Sequence, residues 1–451
     1  MAGHDVEQKK RRQRKTRVLF KSRQGKVGHY NKQSKKVNSQ MGGKAIGAGT
    51  FGCVFRPALR CRGVNHSNKN NRNYVSKLML KPAAAKEMEI VKYFSGFIKR
   101  LDEETQQIHF VLNKTFQCEP EPIHFKNSAL KLNYTNTCKR LVEKGYTFDK
   151  LQSPYINDFK LINSPYGGIE LKIIWRRLTK IRTERDRIEW FVKINTALIT
   201  MLQNGLLPLN QIGLVHNDVK AENIVYDIHA NVAKLIDFGL AYNVRTSADP
   251  NVDVDVDVDV DVNTIPRQAL STKSFIYNYT LGNLFVTWGE TLNDMDSDSE
   301  PIYMANQLLK MALSVKNGGH INHIRRNILL SLGRNPSTSL DTISTKTISN
   351  YFLQIFENIK YFDPETGRAN FANYFKNVQV TNADRFGFIM SYEECLSEDF
   401  LRVMPASLST SIRELIYEYC YSTRFATIVI PIDEVIERLE ILNTLALDSL
   451  E

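Results

Sequence analysis

The stretch Leu214, Val215, His216, Asn217, Asp218, Val219, Lys220, Ala221, Glu222, Asn223, Ile224, Val225, Tyr226 is followed at a short distance by Lys234, Leu235, Ile236, Asp237, Phe238, Gly239. Two runs of β-formers, 223–226 and 232–236, flank a turn at 227–231 and should pair as a hairpin. That pairing would bring Asn223 and Asp237 together at one end, as two oxygen ligands for a hard cation such as Mg²⁺. Asp218 would lie beside them to accept a hydroxyl proton. Lys220 could neutralise a transferring phosphoryl group.

Working outward toward the N-terminus, the string Ile46, Gly47, Ala48, Gly49, Thr50, Phe51, Gly52, Cys53, Val54 places glycines where a hairpin backbone can approach phosphates closely. Val54 stands where an apolar side chain could cover a flat purine. Such a string could equally open a dinucleotide-binding unit, but there it should follow a strand and start a helix. Here the β-formers Phe51, Val54 and Phe55 run through it. Next, Tyr74, Val75, Ser76, Lys77, Leu78, Met79 reads as a short apolar strand interrupted by one Lys, whose ammonium could reach α and β phosphates. Pro82 then begins a helix in which Glu87 shares a face with Ile90, Val91 and Phe94. A buried carboxylate needs a cation, so Glu87 rather than Glu89, about 200 degrees round the helix, is the expected partner of Lys77.

Composition bounds the rest. Hydrophobic residues make up 42% and charged residues 24%, which excludes collagen-like and wholly disordered chains. No run of 18 or more apolar residues exists, and the basic N-terminus lacks the apolar core of a secretory signal. The chain is therefore expected to be intracellular and neither secreted nor membrane-spanning. Six scattered cysteines (Cys53, Cys61, Cys118, Cys138, Cys395, Cys420), without a C-x-x-C pair, suggest a reducing compartment and no structural metal. The net charge of +12 is concentrated: residues 1–40 hold thirteen Lys or Arg and two acids, leaving the remainder nearly neutral. This tail is expected to be disordered. Its clustered cations could bind nucleic acid non-specifically, although a solvated solubility tail is the simpler reading.

Globular composition begins at about Met41. An Asn-rich stretch from Asn65 to Asn73 looks like a loop. The alternating Val and Asp from Val252 to Val262 reads as a solvated low-complexity loop within 249–262, because like charges on one strand face repel. Ile188, Phe191, Ile194, Leu198 and Met201 recur at helical spacing before Gly205, which is expected to end that helix. Beyond about residue 300 the apolar spacing is mostly helical.

Taken in order, the Gly-rich string at 46–54, Lys77, the loop from His216 to Asn223, and Asp237, Phe238, Gly239 resemble the signatures of eukaryotic-type protein kinases. Lys220, two places after Asp218, resembles the serine/threonine branch. The wording from Gly52 to Cys61 is similar to that of divergent kinases of large nucleocytoplasmic DNA viruses, which implies a host cytoplasmic, nuclear or virion location. The resemblance implies an α+β, two-lobed protein-kinase-like fold with a small β-rich N-lobe and a larger, mostly helical C-lobe. It divides the chain into a tail at 1–40, an N-lobe with an insertion at 41–163, and a hinge with a divergent C-lobe at 164–451. It implies ATP and Mg²⁺ as cofactors and Ser/Thr hydroxyls of proteins as acceptors. By the same resemblance, residues 46–54, Lys77 and Glu87 bind nucleotide, Glu170 in the hinge contacts ribose, Asp218 and Lys220 are catalytic, and Asn223 and Asp237 hold metal. Asn217 replaces the Arg of H-R-D, A-P-E is absent, and D-x-W-x-x-G cannot be placed. A catalytically weak or inactive nucleotide-binding scaffold, a small-molecule kinase and a nucleic-acid-binding protein remain as alternatives.

Overall fold

The computed structural model describes residues 43–49, 52–63, 73–112, 114–152, 154–244, 276–284, 300–314, 320–336, 342–358 and 374–451. The basic tail, the Asn-rich stretch at 65–72, the Asp/Val segment, Thr50 and Phe51 lie outside the described residues. The chain is α+β and divides into two compact units, with the boundary between Gly168 and Ile169.

The first unit is built on a five-stranded antiparallel sheet in the order β1 (Lys44–Ala48), β2 (Gly52–Arg56), β3 (Tyr74–Leu80), β5 (Phe159–Pro165), β4 (Phe116–Cys118). β1 and β2 form the expected hairpin, with Ala48 opposite Cys53 and a bulge between Ala45 and Gly47. Gly52 is required by packing across the sheet: a Cβ there would lie 2.6 Å from the Leu78 carbonyl oxygen. The helix Lys81–Ile98 starts with Pro82 in its first turn, where the missing N–H costs nothing, and buries Ala84, Met88, Phe94 and Ile98. Between that helix and β5 the chain supplies β4 and the short helices Glu103–His109, Lys131–Thr137 and Lys139–Glu143. Phe125, Tyr134 and Phe148 from this stretch join Phe55 and Phe159 of the sheet in one core.

The expectation drawn from the cysteines is corrected here. Cys53 is disulfide-bonded to Cys138 across 85 residues, and Cys61 to Cys118 across 57. The first ties β2 to the end of the helix Lys131–Thr137, the second ties the segment after β2 to β4, and such bonds form under oxidising conditions. Short-range spacing could not show them because each pair meets only through the tertiary fold. Cys395 and Cys420 are free and buried.

The second unit begins with β6 (Ile169–Glu170), which pairs with β8 (Ile224–Asp227), itself paired with β9 (Val232–Leu235). A second small sheet pairs β7 (Leu214–Val215) with β10 (Tyr242–Asn243). Nearly all the rest of this unit's regular structure is helical. The long helix Glu184–Met201 is capped by Thr183, whose hydroxyl accepts from the Asp186 N–H. Gly205 does not end it. Helical backbone continues through a π-turn at Leu202–Leu206 to Gln211, because Leu202, Leu206 and Leu209 keep the buried stripe going. Its other face packs on the helix Ile432–Asp448, where buried Asn195 donates to the Leu439 carbonyl and to Asn443. Trp175, on the helix Leu171–Leu178, sits among Phe191, Tyr392 and Phe400 and donates its indole N–H to the Ser391 carbonyl.

Candidate functional site

In the first unit, Lys77 lies in the middle of β3, with Val54 and Ile162 as its neighbours on β2 and β5. Its Nζ meets Glu87 Oε2 at 2.5 Å, the pairing expected from the helix face. Both side chains are about a quarter exposed, so the ammonium keeps a face for another anion. Glu89 is exposed on the outer side of the same helix. Gly49 N–H donates to the Gly52 carbonyl, closing the hairpin, and among the described residues a Cβ on Gly49 would meet nothing within 4 Å. That open backbone suits a phosphate, whereas Gly52 serves the sheet. Ile46 is exposed, and Val54 is half-buried.

In the second unit the hairpin register sets Ile224 opposite Leu235, and the Ile236 N–H donates to the Asn223 carbonyl. Asn223 and Asp237 are thereby brought to one end, as the pairing requires. Asn223 Nδ2 donates to both the carbonyl (2.8 Å) and Oδ2 (2.7 Å) of Asp218. Its Oδ1 is the amide atom left for a cation. Asp237 is exposed and has φ +64°, a left-handed backbone that Asp tolerates better than most residues. Its Oδ1 also accepts from the Gly239 N–H at 3.3 Å. Among the described residues no three His, Cys, Asp or Glu side chains converge on a metal position. One carboxylate and one amide oxygen suit Mg²⁺, which keeps waters and takes phosphate oxygens as further ligands.

Asp218 is buried and holds Lys220 Nζ at 2.7 Å on each of its oxygens. Its backbone is fixed by His216, whose Nδ1 accepts from the Asp218 N–H at 3.3 Å. Nε2 of the same ring therefore carries the proton and donates to the Ile236 carbonyl at 3.1 Å. Phe238 packs edge-on against the ring. Asn217 has φ +57° and donates its amide to the Leu240 carbonyl, tying the loop to the segment after Phe238 and Gly239.

Two functional side chains escaped the sequence reading. Asp384, on the helix Val380–Met390, is fully buried; Oδ2 accepts from the His216 N–H and Asn210 Nδ2, each at 2.8 Å, and Oδ1 from the Asn217 N–H at 2.7 Å. Burial pushes its carboxyl upward, against the pull of His216 and of these donors. The loop is thus hung on one carboxylate nearly 170 residues away in sequence. The pattern D-x-W-x-x-G hides it, because Phe386 stands in the Trp place and Ile389 in the final Gly place. Gly387 is nonetheless present, and a Cβ there would lie 2.5 Å from the Val219 carbonyl oxygen. The second missed residue is Asn278, whose Nδ2 reaches Asp218 Oδ1 at 3.1 Å.

Glu170, expected in the hinge, ends β6 and lies near Glu222 and Lys172; burial and the Glu222 charge push its carboxyl upward. Burial also works to raise the Glu222 carboxyl, but the hydrogen bond and charge of Lys172 overcome it and hold Glu222 below its ordinary value. Lys172 Nζ meets Glu222 at 2.6 Å and Glu394 at 3.3 Å, and Tyr277 donates to Glu222 at 3.0 Å.

Among the described residues no helix is long and apolar enough to cross a membrane. No family model matches the chain. Over 54 residues it is 40% identical to the probable serine/threonine-protein kinase fnkB of Dictyostelium discoideum, which covers 12% of this chain and 10% of that protein. The chain thus spans about a tenth of the curated relative it matches, and the similarity supports a kinase-like relationship for that portion. It lends no weight to the viral kinases that residues 52–61 resemble.

Proposed function

We propose that the protein is a serine/threonine protein kinase, transferring the γ-phosphoryl group of ATP to protein hydroxyls. The observation that carries the reading is the construction around Asp218: a buried carboxylate held by Lys220 and Asn223, on a loop locked by His216 and Asp384. In this reading Asp218 accepts the proton of the attacking hydroxyl as its oxygen bonds to phosphorus and the bond to the leaving diphosphate breaks. The ammonium of Lys220 moves from Asp218 onto the transferring group. Lys77, oriented by Glu87, holds nucleotide phosphates, and Gly49 presents open backbone to them. Asn223 Oδ1 and Asp237 would hold Mg²⁺, which when bound neutralises charge on the phosphates. The Ser/Thr branch rests on Lys220 two places after Asp218.

The test is transfer of label from γ-labelled ATP to casein or histone over a Mg²⁺ titration, with wild type and Asp237→Ala. The wild type should transfer to Ser and Thr, and Asp237→Ala should lose transfer at every Mg²⁺ concentration while melting normally. A folded Asp237→Ala protein with wild-type activity would overturn the metal assignment.

A further inference from the structure

We infer that Asn278 is a positioning residue for Asp218, holding the carboxylate in place when Lys220 leaves it; the inference rests on the phosphotransfer reading above. An ionised carboxylate offers about four lone-pair positions. Lys220 occupies one on each oxygen of Asp218, Asn223 Nδ2 a further one on Oδ2, and Asn278 Nδ2 a further one on Oδ1. No position is left for a substrate hydroxyl, so one donor has to move before Asp218 can take a proton.

The surroundings decide which one. Asn223 and Asn278 are both buried, and each spends the same Nδ2 on a backbone carbonyl as well: Asn223 on that of Asp218 at 2.8 Å, Asn278 on that of Val219 at 3.2 Å. Each amide is pinned at two points. Lys220 carries its charge on a flexible four-carbon stem, its side chain is 21% exposed, and an arriving phosphoryl group competes for its ammonium. Lys220 moves and the two amides stay.

With Lys220 gone, Asn278 is the donor that keeps Asp218 Oδ1 from turning away. The orientation of its amide is forced, since both partners of Nδ2 are acceptors. The consequence is that Asn278 Oδ1 is buried and meets no donor among the described residues. Leaving an acceptor unpaired in the interior is costly and calls for a functional reason. Here the reason is that the amide is committed to the carboxylate. The segment 276–284 that carries Asn278 is thereby a working part of the site and not only its wall.

The experiment uses the full chain and compares Asn278→Thr, which keeps one donor, with Asn278→Val, which has the same shape and none. With casein as acceptor, kcat of Asn278→Val should fall roughly tenfold or more, on the scale of a misplaced general base, while KM for ATP stays within about twofold. Asn278→Thr should recover most of kcat. If Asn278→Val does not fold, Asn278→Ser and Asn278→Ala repeat the donor comparison in smaller side chains. Equal kcat within the donor and non-donor pair, or a loss confined to KM for ATP, overturns the inference. A wild type that transfers no phosphate overturns the kinase reading itself, which is a distinguishable failure.

Discussion

The Lys77–Glu87 pair and the Asp218 loop are both built to present charge, yet they are held in opposite ways. Lys77 and Glu87 are ten residues apart, about a quarter exposed, and meet through one strand and the helix that follows it. The Asp218 carboxylate is buried, and the loop around it is anchored by donors and acceptors from 60 and about 167 residues away. The first arrangement is local and cheap to perturb. The second is a product of tertiary structure, so a change in it should be felt in stability as well as in chemistry.

The largest effect is expected at Asp384. Replacing it with Ala leaves the buried His216 and Asn217 N–H groups without their acceptor, at about 1–3 kcal/mol for each, and takes one of two acceptors from Asn210 Nδ2, which keeps the Leu214 carbonyl. A fall in melting temperature of roughly 10 °C or more should accompany loss of transfer. Lys77→Met, by contrast, removes a pair that is about a quarter exposed and should cost no more than about 1 kcal/mol. Equal melting temperatures for the two variants would break the comparison.

A second test addresses the first unit, whose stability is expected to lie in its bridges more than in its ion pair. Closing a loop of 57 residues, as Cys61–Cys118 does, stabilises by roughly 4 kcal/mol in the chain-entropy description. Cys61→Ser with Cys118→Ser should therefore lose hydrogen-exchange protection across 73–168 and leave 169–244 protected. Protection unchanged in both regions would show that the bridges constrain little.

The smallest effect concerns Glu170, whose carboxyl is pushed up by burial and by Glu222. A carboxyl raised in the folded state binds its proton more tightly there, so its contribution to stability is present at low pH and lost as pH rises. Glu170→Gln, which mimics the protonated form, should melt slightly higher than wild type at pH 7, and the difference should vanish near pH 4. A lower melting temperature at pH 7 would assign the Glu170 charge a stabilising partner.

The same contrast explains what could be read from the sequence. The hairpin that joins Asn223 to Asp237 and the pairing of Lys77 with Glu87 depend on strand alternation and helix spacing, which are local. Asp384 was hidden because Phe386 and Ile389 replace the residues that would flag it. Asn278 sits in an ordinary apolar run and gains meaning only by touching Asp218. The partners Cys53–Cys138 and Cys61–Cys118 share no spacing rule. Gly205 misled because a glycine can also sit inside a buried helical turn when the leucines around it continue the stripe.

The most direct measurement is phosphoryl transfer from γ-labelled ATP to a Ser/Thr protein by wild type and Asp218→Asn, each normalised to its folded fraction. Asn at 218 keeps the shape of the side chain but removes the base. The account predicts a rate lower by roughly 100-fold or more in a protein that still folds. Equal rates in the two proteins would contradict it.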